Sequence, residues 1–273
     1  MSHPAWHRGA VCMGVRPEII HLPWDQPIVA TAVDWLVAGA GGDRVDLSET
    51  WVLLPTRQAG RRLREALAWA CRERGGVFPP RTGTPFQLLN HQETQVAPEV
   101  ACIGHWEQLL EGRIVETCPN LFPALPDQRD FGWRRKMAEA LHAMRATLLE
   151  GGWDCAQLAD SEHCEEEAGR WRDLARLEAA YRERLTQVGL VDCHDARRAA
   201  AEAPNLAEIR RVVILGVTDI SPVFEQALMR LMEQGMLVQL VCFGPGEGMD
   251  EWGRPIPAFW NNRSLSVTEE HLV

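Results

Sequence analysis

Residues Thr50–Arg74 read TWVLLPTRQAGRRLREALAWACRER. The first five, TWVLL, form a short continuous apolar run that Pro55 stops, the pattern of a strand covered on both faces. From Arg57 the period changes. Arg57, Arg61 and Arg64 fall at i, i+4 and i+7 on one helical face, and Leu63, Leu67 and Ala70 fall on another. A buried strand passing straight into an amphipathic helix is one βα unit of an α/β fold. Three more runs have the same strand character: Glu18–Leu22 (EIIHL), Arg211–Leu215 (RVVIL) and Leu237–Val241 (LVQLV). Together they predict a parallel sheet with helices between its strands.

Between the second and third of these strands the character is helical only. Met137, Leu141, Met144 and Leu148 mark one long amphipathic helix, and Trp171, Leu174, Tyr181, Leu185 and Val188 mark another. Asp192 and Asp195 cap or precede a shorter Ala- and Arg-rich helix, which Pro204 ends. The expected plan is a first α/β part at 1–97, a helical insertion at 98–205 and a return to the sheet at 206–245. The Gly- and Pro-rich segment 246–273 reads as a connector without a core element of its own, as if the chain were a fragment of something longer.

Composition excludes several classes. No apolar run approaches the roughly 18–20 residues that a membrane span needs, and no secretory signal opens the chain. The eight cysteines are scattered singly, which favours reduced thiols and a cytoplasmic location over a disulfide framework. A net charge of −10 argues against a general polyanion binder, although arginines cluster locally. Of the eleven tryptophans, one or two could stand exposed as stacking platforms; the pattern does not say which.

Thr56 and the first N–H groups of the helix at Arg57 stand beyond the carboxyl end of a strand, a place suited to phosphate. A solvated arginine face on an ordinary amphipathic helix is the alternative. In RTGTPFQLL (Arg81–Leu89), Thr84 precedes a helix start with Pro85 at its first position, which suits either simple N-capping or a second phosphate contact. After the first strand comes HLPWDQPIVATAVDWL (His21–Leu36), with no glycine loop and no lysine, and Pro23 and Pro27 remove backbone donors. After the Arg211–Leu215 strand, Gly216 and Val217 stand where a nucleotide hydrolase would carry paired carboxylates, and only Asp219 is acidic. The expectation is therefore no catalytic residue, no cofactor and no enzymatic activity in this chain alone. His163, Cys164, Cys193 and His194 match no zinc-ligand spacing, so no metal is expected either.

Taken together, these segments resemble the N-terminal, helicase-like region of the AddB-type subunit of AddAB helicase–nucleases, bacterial proteins of double-strand-break repair. WVLLPTRQAGRRLREAL resembles the family's helicase motif Ia, and RTGTPFQLL its next DNA-facing segment. VVILGVTDISPVFEQALMRL resembles the family's degenerate Walker B strand with its helix. GLVDCHDA (Gly189–Ala196) resembles a motif that ends the helical insertion, and FGPGEGMDEWGRPIPAFW (Phe243–Trp260) the connector toward the next domain. The resemblance implies a RecA-like core that lacks a P-loop, with an insertion like helicase subdomain 1B. It further implies a PD-(D/E)XK nuclease downstream in the parent subunit, and an AddA-type helicase subunit and single-stranded DNA as partners, with no membrane. Carried over from the motif matches, Thr56, Arg57, Arg61, Arg64 and Thr84 are the candidate DNA contacts. A protein–protein scaffold that never touches nucleic acid is the competing expectation, and the acidic net charge favours it.

Overall fold

The computed structural model describes residues 16–40, 44–89, 95–244 and 246–260. The chain divides into two compact units. One comprises Met1–Leu88, Asn205–Ile220 and Leu228–Val273; the other comprises Leu89–Pro204 and Ser221–Ala227.

The first unit is built on a five-stranded parallel sheet. Its strands are β1 (Glu18–Leu22), β3 (Thr50–Leu53), β5 (Arg81–Gly83), β6 (Arg211–Leu215) and β7 (Leu237–Phe243), in the order β1-β7-β6-β3-β5. Two short strands, β2 (Val45–Asp46) and β4 (Val77–Phe78), pair in parallel as a separate sheet. The registers Ile20↔Val241, Leu215↔Val241, Leu53↔Ile214 and Leu53↔Gly83 align the carboxyl ends of all five main strands along one edge. Four of the five match the apolar runs of the sequence. Of these, β3 stops one residue short of its run, at Leu53, and β7 goes two residues further, to Phe243. The fifth strand, Arg-Thr-Gly, is an edge strand held by its pairing to β3 and carries no apolar run to announce it.

Strand alternation places Val52, Leu54, Val213, Leu215 and Val241 on one face of the sheet. Two helices cover that face, α1 (Ile28–Ala38) through Ala32, Val33 and Leu36, and α2 (Arg57–Ala70) through Leu63 and Leu67. Gly60 lets α2 lie close on β5: a Cβ added there would stand 3.2 Å from the Thr82 side chain. The stretch read as a connector supplies a core side chain, since Trp252 is buried. It is held by a turn in which the Asp250 carboxylate accepts from the N–H groups of Trp252 and Arg254 at 2.8 and 2.9 Å. The short helices α3 (Pro85–Leu88) and α10 (Pro257–Trp260) also belong to this unit. Helix α9 (Pro222–Glu233) follows β6.

The second unit is helical: α4 (Glu99–Glu111), α5 (Phe131–Glu150), α6 (Cys155–Ala159), α7 (Ala168–Gln187) and α8 (Cys193–Glu202), with short 3₁₀ turns between them. Its core joins Ile103, Trp106 and Leu110 of α4 to Leu141 of α5 and Leu177, Tyr181 and Leu185 of α7. Trp106 and Tyr181 stack at 4.2 Å between ring centroids. Asp192 caps α8, accepting from the His194 N–H at 2.8 Å. Gln95–Ala97 and Val191 run side by side, joined by the Ala97 and Val191 N–H groups at 2.8 and 3.0 Å.

Candidate functional site

The strand order has a switch point. From β3 the chain moves outward to β5, whereas from β6 it moves the other way to β7, and β3 and β6 are neighbours. The connections therefore diverge at their carboxyl ends and open a crevice there, the position at which open α/β sheets take ligands. Leu54–Arg57 leave β3 on one side of it and Gly216–Asp219 leave β6 on the other. Gly216 turns with φ 63, a left-handed conformation that suits glycine, and its N–H binds the Val241 carbonyl at 3.0 Å.

Thr56 is the N-cap of α2: its Oγ1 accepts from the Ala59 N–H at 3.1 Å. The hydroxyl proton stays available, and the N–H groups of Arg57 and Gln58 have no acceptor among the described residues. These orphan donors and the helix dipole give the crevice a positive rim. Arg57, Arg61 and Arg64 are all exposed. Arg61 is paired with Glu65 at 2.9 Å, both side chains largely in water, so that pair is weak. Arg57 and Arg64 have no ion-pair partner among the described residues, and neither does Arg62, which the helical-face reading had left out.

The structure brings Thr84 to the same edge. Gly83 pairs with Leu53, and the Leu54 N–H donates to the Gly83 carbonyl at 2.8 Å, so Thr84 and Pro55–Thr56 leave adjacent strands. At the start of α3 the Thr84 N–H donates to Gln87 Oε1 at 2.9 Å. With that donor used and Pro85 lacking one, the segment offers an anion the Thr84 hydroxyl rather than a row of amides. Gln87 could not have been found from spacing alone, because an amide three residues into a helix is common.

Along the edge in the other direction, Pro23 and Pro27 bracket the turn from β1 into α1, and α1 has no side-chain cap. Trp24 is 59% exposed and rests against the backbone at Gly244, where an added Cβ would meet the indole at 3.5 Å. Asp219 is exposed beyond β6, and no second carboxylate accompanies it in Gly216–Asp219.

The GLVDCHDA segment belongs to a different constellation, inside the helical unit. Arg145 of α5 is 1% exposed and meets three carboxylates: Glu178 at 2.8 Å, Asp192 at 2.8 Å and Asp195 at 2.5 Å. Arg182 joins Glu178 and Asp195 at 3.1 and 3.2 Å, and the Tyr181 hydroxyl donates to Asp192 at 2.7 Å. Burial alone would raise the Asp192 carboxyl; the Arg145 guanidinium, the Tyr181 hydroxyl and the His194 N–H outweigh it and hold it at about 2. Arg145 is likewise disfavoured by burial and held charged by its three carboxylates.

Asp192, Cys193 and His194 place one ligand-type atom each within 4.8 Å of one another. The Asp192 oxygens, however, already serve Arg145, Tyr181 and the His194 N–H. Burial pushes the Cys193 thiol up and the His194 imidazole down. His163 and Cys164 are not part of that group. The seven described cysteines are unpaired. Burial raises the Cys102 thiol to about 11 and the Cys155 thiol to about 12, so both stay protonated near neutrality.

Compared with models of known protein families, the chain matches none, and no curated protein matches it. No described helix is long and apolar enough to cross a membrane.

Proposed function

We propose that the sheet unit holds a single strand of DNA by its backbone at the carboxyl edge, as a non-catalytic, RecA-like pseudo-helicase core of the AddB type. The helical stretch is then the counterpart of the 1B insertion, and an AddA-type helicase subunit is the motor against which the chain docks. One observation carries the reading: Thr56, Arg57 and Thr84 leave adjacent parallel strands beside the switch point. Orphan N–H groups, hydroxyls and guanidinium groups suit phosphate oxygens, and arginine's planar fork donates in pairs. Such contacts position a strand without reading its sequence. The non-catalytic part of the proposal is supported by Pro23, Trp24 and Pro27, which occupy the turn where phosphate would need a row of amides, and by the single carboxylate after β6.

The test is fluorescence anisotropy with a labelled single-stranded oligonucleotide across a salt series. The parent chain binds weakly, in the non-specific range of about 10⁻⁴–10⁻⁶ M, and affinity falls steeply with salt. Replacing Arg57 and Arg61 with Ala weakens every sequence alike and lowers the salt slope by about 1.4, the share of two single-strand phosphate contacts. Equal binding by parent and double variant at low salt removes this site. Absence of binding by either leaves the scaffold reading, which the exposed Val100, Phe131 and Val188 of the helical unit favour. ATP turnover above background would remove the non-catalytic part.

A further inference from the structure

Of the nine tryptophans with described side chains, two are exposed, Trp24 at 59% and Trp69 at 69%. Their settings differ. Trp69 lies near the end of α2, and the Arg72 guanidinium covers its ring at 4.1 Å. Because α2 joins two parallel strands, that end of the helix lies toward the opposite edge of the sheet from Thr56. Trp24 is on the carboxyl edge. It leans on Gly244, whose φ of 129 only glycine adopts readily and whose N–H is fixed to the Leu22 carbonyl at 2.9 Å. Among the described residues no ring or guanidinium stacks on it. The indole is thus seated from one side and open to solvent on another.

We infer that Trp24 is a base-stacking platform, and that a nucleobase of the single strand held at Thr56 and Arg57 lies on its open surface. The inference rests on the proposed DNA-holding role of that edge. Trp24 follows β1 and leans on Gly244 at the end of β7, while Arg57 follows β3, so two to three strand spacings, about 10–15 Å, separate them, and nucleotides of one strand can reach both. The charges assign the two ends. Pro23–Ala38 contains no lysine or arginine, and Asp25 and Asp219 are exposed on the Trp24 side of the crevice. Phosphates are repelled there and attracted at Arg57, which leaves the base as the part of the nucleotide that Trp24 receives. Every base has a π-face, so the contact adds affinity for single strands without sequence preference.

The experiment compares the full chain with Trp24→Ala, Trp24→Phe, Trp69→Ala and the Arg57→Ala/Arg61→Ala double variant. The probes are an oligothymidylate and an abasic strand of the same length, both at low salt. Thermal melting shows that each variant is folded, as expected for an exposed side chain. Trp24→Ala weakens oligothymidylate binding between about 5-fold and about 100-fold, Trp24→Phe recovers most of it, and Trp69→Ala leaves it unchanged. On the abasic strand, parent and Trp24→Ala bind alike. If Trp24→Ala binds oligothymidylate as the parent does while the arginine variant loses binding, the platform is wrong and the DNA-holding edge stands. Equal losses for Trp24→Ala and Trp69→Ala, or an equal loss on the abasic strand, also overturn it. If the parent binds neither probe, both proposals fall together.

Discussion

Replacing Arg145 with Met keeps most of the apolar stem and removes the charge. Its three nitrogens each meet a different carboxylate, and two of these, on Glu178 and Asp192, are as buried as the arginine itself. After the replacement Arg182 still reaches Glu178 and Asp195, but no cation within ion-pair distance remains for Asp192. The downward displacement of Asp192 from 3.8 to about 2 corresponds to roughly 2.4 kcal/mol for that carboxylate alone. Removing one partner of a buried ion cluster generally costs about 3–5 kcal/mol, so the whole loss at pH 7 falls in that range. For a chain of this size the melting temperature drops on the order of 10 °C. Urea unfolding followed by far-ultraviolet circular dichroism at pH 7 and pH 4 measures it. The gap narrows at pH 4, because a buried carboxylate without a cation escapes its penalty by taking a proton. An unchanged midpoint at pH 7, or a gap of equal size at both pH values, would refute the claim that Arg145 neutralises this cluster.

In the parent protein, burial depresses His105 and His194 below 6.5, so the stability they contribute is complete above that pH and erodes as pH falls further; Asp192 adds a second, larger loss between its unfolded value of 3.8 and about 2. A melting temperature that rises between pH 7 and pH 5 would contradict these directions. Thr56→Ala removes the α2 cap and costs about 1 kcal/mol in urea unfolding, while Thr56→Ser restores it; equal losses for both variants would mean that the hydroxyl is not the stabilising group.

Three of the strands legible in the sequence, β3, β6 and β7, are largely buried, where continuous Val, Ile and Leu are required whatever the topology, and the half-buried edge strand β1 was legible from Ile19, Ile20 and Leu22. β5 was not legible: Arg-Thr-Gly becomes a strand by pairing with β3, a long-range cause with no local signature. The candidate contacts at Thr56, Arg57 and Thr84 could be read as the ends of βα units, but the diversion of the Thr84 N–H to Gln87 could not. Arg145 was missed although a signal existed. It lies at i+4 between Leu141 and Leu149, both buried, and Glu178 lies between Leu174 and Tyr181 in the same way. A charged residue in the middle of an apolar stripe announces a buried partner of opposite sign. Asp173, also buried, is satisfied differently, accepting from the Asn120 and Leu121 backbone N–H groups at 2.8 and 3.2 Å.

The net charge of −10 weighs less against a polyanion partner once it is divided between the units. The sheet unit has 16 acidic and 15 basic residues, the helical unit 22 and 13. Almost all the excess acid therefore belongs to the helices. There, nine of the thirteen basic residues are engaged in ion pairs: Arg129, Arg134, Arg135, Arg145, Arg170, Arg176, Arg182, Arg197 and Arg198. The sheet unit is close to neutral, and α2 exposes Arg57, Arg62 and Arg64 without such partners. Surface charges act over a Debye length, about 8–10 Å at moderate salt. A phosphate at the α2 N-terminus thus responds first to the arginines beside it, and the repulsion from the chain's acidic residues weakens as salt rises. Added salt then has two opposed effects, screening the repulsion and displacing phosphate contacts. The Arg57→Ala/Arg61→Ala variant separates them, since it removes the second and leaves the first.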